Sequence, residues 1–165
     1  AVHLLRRFLS ELRLQPTDGA RREPIMGPRI DTPADVFALV RADMEMLRQE
    51  QLRVLTMTIR HELINTHLIY QGTVSGTPVR LAEVFRPAIV ESAAAIIAVH
   101  NHPSGDPSPS PDDVRLSRNM HAAGKLLDIA VLDHVIVGFD RFASLRERGF
   151  MEGGHGMPIE GGGFT

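Results

Sequence analysis

The sequence predicts an α/β domain, because stretches with helical spacing of apolar residues alternate along the chain with short apolar runs typical of strands. Residues 93–99, Ala-Ala-Ala-Ile-Ile-Ala-Val, form an apolar run that is too short for a comfortable helix and is typical of a buried strand. Residues 111–127, which follow a proline-rich loop, carry apolar side chains at helical spacing. The chain has 165 residues, 43% of them hydrophobic, which is enough for one domain with its own core.

Composition excludes several classes of protein. The chain has no cysteine, so any zinc must be held by histidine and carboxylate rather than by thiolate. Its longest apolar run has seven residues, far below the roughly 20 that span a bilayer. Because the first residues open no signal-peptide pattern, a cytoplasmic location is expected. The formal charge is -2, and the sequence shows no extended basic face for nucleic acid.

The two ends of the chain are predicted to lie outside the main domain. Residues 2–14 carry an apolar stripe at helical spacing, which predicts an amphipathic helix that must bury this stripe. The following residues are rich in proline, glycine and charge, so 1–31 are interpreted as a helix and a linker. Residues 151–165 are glycine-rich and lack periodicity, which predicts a mobile tail. The main domain is therefore predicted to span 32–150.

The first helix of this domain has a clear beginning in the sequence. Thr32 as N-cap, Pro33 at the first helical position and Asp35 in the first turn predict a helix that ends near Met46 or Arg48. From residue 51 the apolar pattern changes to strand spacing, which predicts a hairpin joined near residues 60–62. The remaining predicted elements are a turn and short strand at 71–79, a helix at 81–92 despite Pro87, a buried strand at 94–99, a helix at 111–127 and a closing strand at 131–137.

The candidate metal-binding residues are concentrated in one stretch, HNHPSGDPSPSPDD, residues 100–113. Residues two apart on a strand face the same side, so His100 and His102 present two imidazoles side by side where the buried strand ends. Ser110 as N-cap and Asp113 three residues later predict a helix start whose carboxylate projects back toward the strand end. Two imidazoles and one carboxylate supply three zinc ligands and leave the fourth position to water, as in catalytic zinc sites.

Each fragment of this pattern also has a plainer interpretation. Histidines in an H-x-H pair can be ordinary surface residues, and Ser110 with Asp113 forms a capping box that needs no metal. The composite spacing H-x-H-x7-S-x2-D, after a buried strand and at a helix start, favours the metal site. An HNH nuclease is disfavoured, because those sites distribute the three residues over a hairpin and a helix rather than in consecutive positions.

The composite motif formed by His100, His102, Ser110 and Asp113 matches that of the JAMM (MPN-plus) metalloproteases. With LDHVIVG further along, the stretch resembles the RadC branch of that family, and the likeness covers about residues 32–150. The resemblance implies a cytidine-deaminase-like α/β fold, in which helices flank a mixed sheet, and one zinc ion per chain. It also implies hydrolysis of a peptide or isopeptide bond in a protein or peptide substrate, with ubiquitin-like proteins among the candidates.

The same resemblance assigns a general base. The JAMM pattern has a glutamate just before the first strand, and Glu50 stands at the matching position. A carboxylate there can take a proton from zinc-bound water and pass it to the leaving amine. A solvated glutamate at a helix end is the plain alternative, and Glu83 and Glu91 are fallback candidates for the base.

Three further residues receive expected roles. The Ser110 hydroxyl is expected to cap its helix and to donate a hydrogen bond to the oxyanion formed at the attacked carbonyl. Asp133 and His134 on the closing strand are expected to orient a zinc ligand, although a buried histidine bonded to its neighbours explains His134 equally well.

The alternative function is a non-catalytic RadC-like module associated with DNA repair or a protein complex. Typical RadC chains carry an N-terminal helix-hairpin-helix region, and residues 1–31 are too short to contain one intact. The acidic main domain disfavours phosphate contacts, so nucleic acid is weakly supported as a partner.

Overall fold

A computed structural model describes residues 26–72 and 79–151 of the chain. The helix predicted at 2–14 lies outside these residues, as do most of the linker, most of the turn predicted at 71–79 and nearly all of the C-terminal tail. The domain boundaries at 32 and 150 stay predictions.

In the described ranges, helices and strands alternate as the sequence predicts, and the α/β class is confirmed. No helix there is long and apolar enough to cross a membrane. The helices are α1 (Pro33–Met44), α2 (Leu81–Glu91) and α3 (Pro111–Leu127), and the strands are β1 (Gln51–Met57), β2 (Leu63–Gln71), β3 (Ala95–Asn101), β4 (Ala130–Val137) and β5 (Phe142–Ser144).

The five strands form one mixed sheet in the order β2-β1-β3-β4-β5. Only the β3–β4 pair is parallel, and α3 is the crossover that a parallel pair requires. β1 runs antiparallel to β3, with Leu52 opposite His100 at the end of the ladder. All seven residues of β3 are buried, so the end of this strand lies within the sheet rather than at its margin.

Helices cover both faces of the sheet. Since side chains alternate along a strand, Ile96 and Ala98 of β3 pack toward α2 and α3, and Ile97 and Val99 pack toward α1. The same alternation directs His100 toward α3. The core on the α2 and α3 side includes Leu52, Val54, Val84, Phe85, Ala88, Met120 and Ile136, and the core on the α1 side includes Ile30, Val36, Val40, Met44, Leu55, Met57, Val135 and Val137.

Two details differ from the sequence predictions. α1 ends at Met44 rather than near Met46 or Arg48, and its C-cap is Glu45. β5 was not predicted, because three residues are too few to show a periodic pattern.

Candidate metal centre

Four side chains converge at the carboxyl end of β3. His100 is the penultimate residue of β3, and His102 follows the strand. Asp113 lies in the first turn of α3, and Glu50 immediately precedes β1. One ligand atom from each of the four residues lies within 4.8 Å of all the others. The strand end, the helix start and the entry to β1 therefore meet at one point.

Each distance is close to the separation of two ligand atoms on a tetrahedral ion, with Asp113 presenting Oδ1 to His100 and Oδ2 to His102. His100 Nε2 lies 3.0 Å from His102 Nε2 and 3.2 Å from Asp113 Oδ1. His102 Nε2 lies 3.5 Å from Asp113 Oδ2. Zinc bonds of about 2.0–2.1 Å put tetrahedral ligand atoms about 3.3 Å apart. Glu50 Oε1 is farther out, 3.8 Å from His100 Nε2, so it lies beside the three ligand candidates.

A capping box holds Asp113 in place. Its Oδ2 accepts hydrogen bonds from the Ser110 backbone N–H at 2.7 Å and from the Ser110 hydroxyl at 2.6 Å. The Asp113 N–H donates in turn to Ser110 Oγ at 3.2 Å. Oδ2 is thereby engaged by the helix start, and Oδ1 is left to face the imidazole of His100. The hydroxyl hydrogen that was expected to reach an oxyanion is directed at Asp113 in this structure.

Hydrogen bonds on the far side of His102 fix the form of its ring. Its Nδ1 lies 2.8 Å from the backbone carbonyl oxygen of Asp106. A carbonyl can only accept, so Nδ1 carries the hydrogen, and Nε2 of the neutral ring has a free lone pair. This lone pair points at the cluster.

A relay of hydrogen bonds from Ser117 through His134 to His100 fixes the tautomer of the His100 ring in the same way. Ser117 Oγ donates to the Asp113 carbonyl oxygen at 2.7 Å, so at 2.5 Å it must accept from Nδ1–H of His134. Burial lowers the pKa of His134 well below its ordinary value, so this ring is neutral and its Nε2 is free to accept. That Nε2 lies 2.7 Å from His100 Nδ1, which therefore donates. In the neutral form of the ring, His100 Nε2 then has a lone pair facing the cluster.

The cluster thus places acceptor atoms opposite one another. Burial alone would raise the pKa of the Asp113 carboxyl, but its contacts with His100 and His102 outweigh burial and hold that pKa well below its ordinary value. The hydrogen bond with Asp113 raises the pKa of His102. Burial raises the pKa of Glu50, against the opposing effect of the two histidines. Such a group of acceptors is stabilised by a shared cation, whether a proton or a metal ion.

The other predicted residues lie elsewhere. Asp133 contacts no ligand candidate: its carboxylate accepts from the Ser144 hydroxyl at 2.6 Å and from the Arg146 N–H at 3.1 Å, so it fastens β5 to β4. Glu83 is exposed beside Arg80.

Glu91, the other fallback base, also lies outside the cluster. Its carboxylate accepts hydrogen bonds from the Thr56 hydroxyl at 2.5 Å and from the Asn65 amide at 3.3 Å, and it pairs with His67 at 2.9 Å. These contacts tie the end of α2 to β1 and β2. Of Glu50, Glu83 and Glu91, only Glu50 lies beside His100 and His102.

Two residues that support the cluster, Ser117 and Asn101, have no role in the motif and were not predicted from it. Ser117 is completely buried and follows Asp113 by four residues, which puts both on one face of α3. A small polar residue on that face was the available signal. The strand alternation predicts only that Asn101 faces away from the two imidazoles.

The chain is similar to known proteins over most of its length. The family model described as RadC-like JAB domain matches residues 30–150. A UPF0758 protein of Chloroflexus aggregans is 46% identical over 120 residues, covering 73% of this chain and 52% of that protein. A UPF0758 protein of Shouchella clausii is 41% identical over 130 residues, covering 79% of this chain and 56% of that protein. The chain spans about half the length of the curated relatives it matches.

Proposed function

The chain belongs to the RadC-like JAB domain family, and on that premise we propose that it is a zinc-dependent peptidase or isopeptidase of the JAMM type. The observation that carries the proposal is the cluster of His100, His102 and Asp113, with Glu50 beside it, at separations that suit a tetrahedral ion. The proposal concerns the activity of this domain.

The donor set favours zinc held at a catalytic site. Two imidazole nitrogens and one carboxylate oxygen are a ligand set found in catalytic zinc centres, where the protein fills three positions. The Nδ1 atoms of His100 and His102 are both hydrogen-bonded, so each imidazole ring is oriented before any ion binds. Zinc bound there supplies a Lewis acid that polarises a carbonyl and lowers the pKa of water to about 7.

Glu50 has the features of a general base. Its carboxylate is half-buried, and burial raises its pKa toward the range in which proton transfer at neutral pH is efficient. During hydrolysis, Oε1 takes a proton from the attacking water while the water oxygen bonds to the carbonyl carbon. The same carboxyl then gives that proton to the leaving nitrogen as the C–N bond breaks.

Ser110 has a double role in this proposal. Its backbone N–H holds Asp113 Oδ2 independently of the side chain. The hydroxyl can therefore turn from Asp113 toward the oxyanion without releasing the carboxylate. The proposed substrate is a protein or peptide, with ubiquitin-like proteins among the candidates.

Hydrolysis assays on matched variants test this function. The zinc-loaded chain is incubated with unstructured peptides and with isopeptide-linked ubiquitin-like conjugates. Glu50→Gln should keep its zinc and lose about 10²–10⁴-fold in turnover, because only the proton carrier is removed. Glu91→Gln should cleave like the parent, since Glu91 lies with Thr56 and His67.

Two outcomes contradict the proposal in different ways. Full activity of Glu50→Gln shows that the base has been misassigned. A zinc-loaded parent that cleaves none of these substrates favours the alternative, a non-catalytic RadC-like module associated with DNA repair or a protein complex.

A further inference from the structure

Asn101, which lies between His100 and His102, is 1% exposed and makes two hydrogen bonds to the chain around Glu50. Its Oδ1 accepts from the Gln51 backbone N–H at 2.9 Å. Its Nδ2 donates to the Gln49 backbone carbonyl at 3.2 Å. These two groups flank Glu50 on either side, so a single carboxamide holds both peptide units next to it.

This contact occurs where two strands part. The ladder between β1 and β3 ends with Leu52 opposite His100. Two residues further, the His102 N–H donates to the Val137 carbonyl of β4 at 2.9 Å, so the chain after β3 follows β4 and leaves β1. A carboxamide carries the same donor and acceptor as a peptide group. The Asn101 side chain therefore continues the ladder after the backbones have separated.

The segment is also held from its other side. The Glu50 carbonyl accepts from the Gly72 N–H at 3.0 Å, just past the end of β2. The backbone of Glu50 is thus fixed between two neighbours. Only the side-chain rotamer then sets the position of Glu50 Oε1, which lies 3.8 Å from His100 Nε2. A loss of the Asn101 contacts leaves one of these two attachments.

We propose that Asn101 is a positioning residue that holds the Glu50 carboxylate beside the metal cluster. The inference rests on the proposed function, in which Glu50 is the base. Catalytic groups must be placed closely, and a displacement of about 1 Å can cost about 10²-fold in rate. The stretch His100-Asn101-His102 then supplies two ligands and also the clamp that places the base next to them.

A double-mutant cycle in the zinc-loaded chain tests this coupling. Asn101→Ala should keep its zinc and its KM and should lower kcat by about 10–100-fold. In a Glu50→Gln background the same substitution should cause no further loss, because Asn101 acts through Glu50. Asn101→Asp keeps the acceptor for the Gln51 N–H and should retain part of the activity. Asn65→Ala, on β2, is the matched control and should leave kcat unchanged.

Amide hydrogen exchange tests the clamp without substrate or metal. The Gln51 N–H should exchange faster in Asn101→Ala than in the parent, while the Val54 N–H within β1 should not change. Unchanged exchange at Gln51, or an equal loss of kcat in the Glu50→Gln background, overturns the inference. If the zinc-loaded parent cleaves nothing but the Gln51 N–H exchanges faster in Asn101→Ala, the proposed function is contradicted and the contact of Asn101 with the Glu50 backbone is still supported. If Asn101→Ala does not fold, Asn101→Asp tests the inference through kcat: it loses only the donor to the Gln49 carbonyl, so it should lower kcat in the parent, and an equal loss in the Glu50→Gln background overturns the inference.

Discussion

Two helices of this domain begin with the same capping box, yet only one of the two carboxylates faces imidazoles. α1 begins with Thr32-Pro33-Ala34-Asp35, and α3 begins with Ser110-Pro111-Asp112-Asp113. The hydroxyl of the N-cap donates to the carboxylate at 2.8 Å in α1 and at 2.6 Å in α3. The backbone N–H of the aspartate, Asp35 or Asp113, donates back to that hydroxyl at 3.2 Å in both helices.

The surroundings of the two carboxylates differ. Asp35 is exposed, and its hydrogen bonds with Thr32 lower its pKa. Asp113 is 7% exposed and lies against His100 and His102, which lower its pKa despite burial. The capping box fixes the direction of a carboxylate, and the strand opposite decides what that carboxylate can bind. A capping motif alone therefore never identifies a metal site.

Replacement of each aspartate by asparagine should give the largest difference in zinc affinity between the two capping boxes. Asp113→Asn removes a ligand, so its zinc affinity should fall by more than the roughly 10–100-fold that loss of an outer hydrogen-bond partner costs. Asp35→Asn removes the same charge from the same helix position and should not change zinc affinity. Competition with a chromophoric chelator measures both constants. Equal affinities in the two variants would place the metal elsewhere.

The relay behind His100 should have the next largest effect. Ser117→Ala removes the group that fixes the tautomer of His134, and through it that of His100. Zinc affinity should fall by about 10–100-fold. Thr58→Ala, which removes a hydroxyl in the turn between β1 and β2, should leave it unchanged. The chelator competition detects this difference, and a Ser117→Ala chain that binds as tightly as the parent would show that the relay is dispensable.

Zinc affinity should also depend on pH. The hydrogen bond with Asp113 raises the pKa of His102, so this ring keeps its proton to a higher pH than an ordinary histidine. The ion requires the unprotonated ring, so affinity should rise about tenfold per pH unit below that pKa and level off above it. Chelator competition across a pH series measures the slope. A flat profile would mean that no proton is displaced from the cluster.

The smallest expected effect compares the hydroxyls of the two boxes. Ser110→Ala and Thr32→Ala should each lower the free energy of unfolding of the metal-free chain by about 0.5–2 kcal/mol, since each loses a helix cap. Urea denaturation measures this loss. Only Ser110→Ala should weaken zinc binding as well, because the Ser110 hydroxyl bonds the Asp113 carboxylate that faces the cluster. The Ser110 N–H still holds that carboxylate, so this loss should be small. Equal zinc binding by both variants would limit Ser110 to capping.

Local signals explain what the sequence predicted well. The strand predicted at 94–99 is apolar throughout, and the observed strand, Ala95–Asn101, includes the first histidine and ends one residue after it. The capping residues Thr32 and Ser110 stand where the structure begins α1 and α3. Both patterns depend on residues that are neighbours in the chain.

The contacts that complete the site depend on residues distant in sequence. Glu50 reaches His100 because β1 pairs with β3. The residues alone favoured a solvated glutamate at position 50, and the family resemblance assigned it as the base, with Glu83 and Glu91 as fallback candidates. Asn101 and Ser117 act through partners on β1 and β4. Such pairings arise from the register of the sheet, which no local pattern specifies.

Zinc content is the most direct test of the metal centre. Elemental mass spectrometry is applied to protein purified without chelator or affinity tag, and again after reconstitution with zinc. About one zinc per chain is expected in the parent and in His67→Ala, whose ring pairs with Glu91, and none in His100→Ala. A folded parent that holds no zinc after reconstitution, or a His100→Ala chain that retains it, would contradict the assignment.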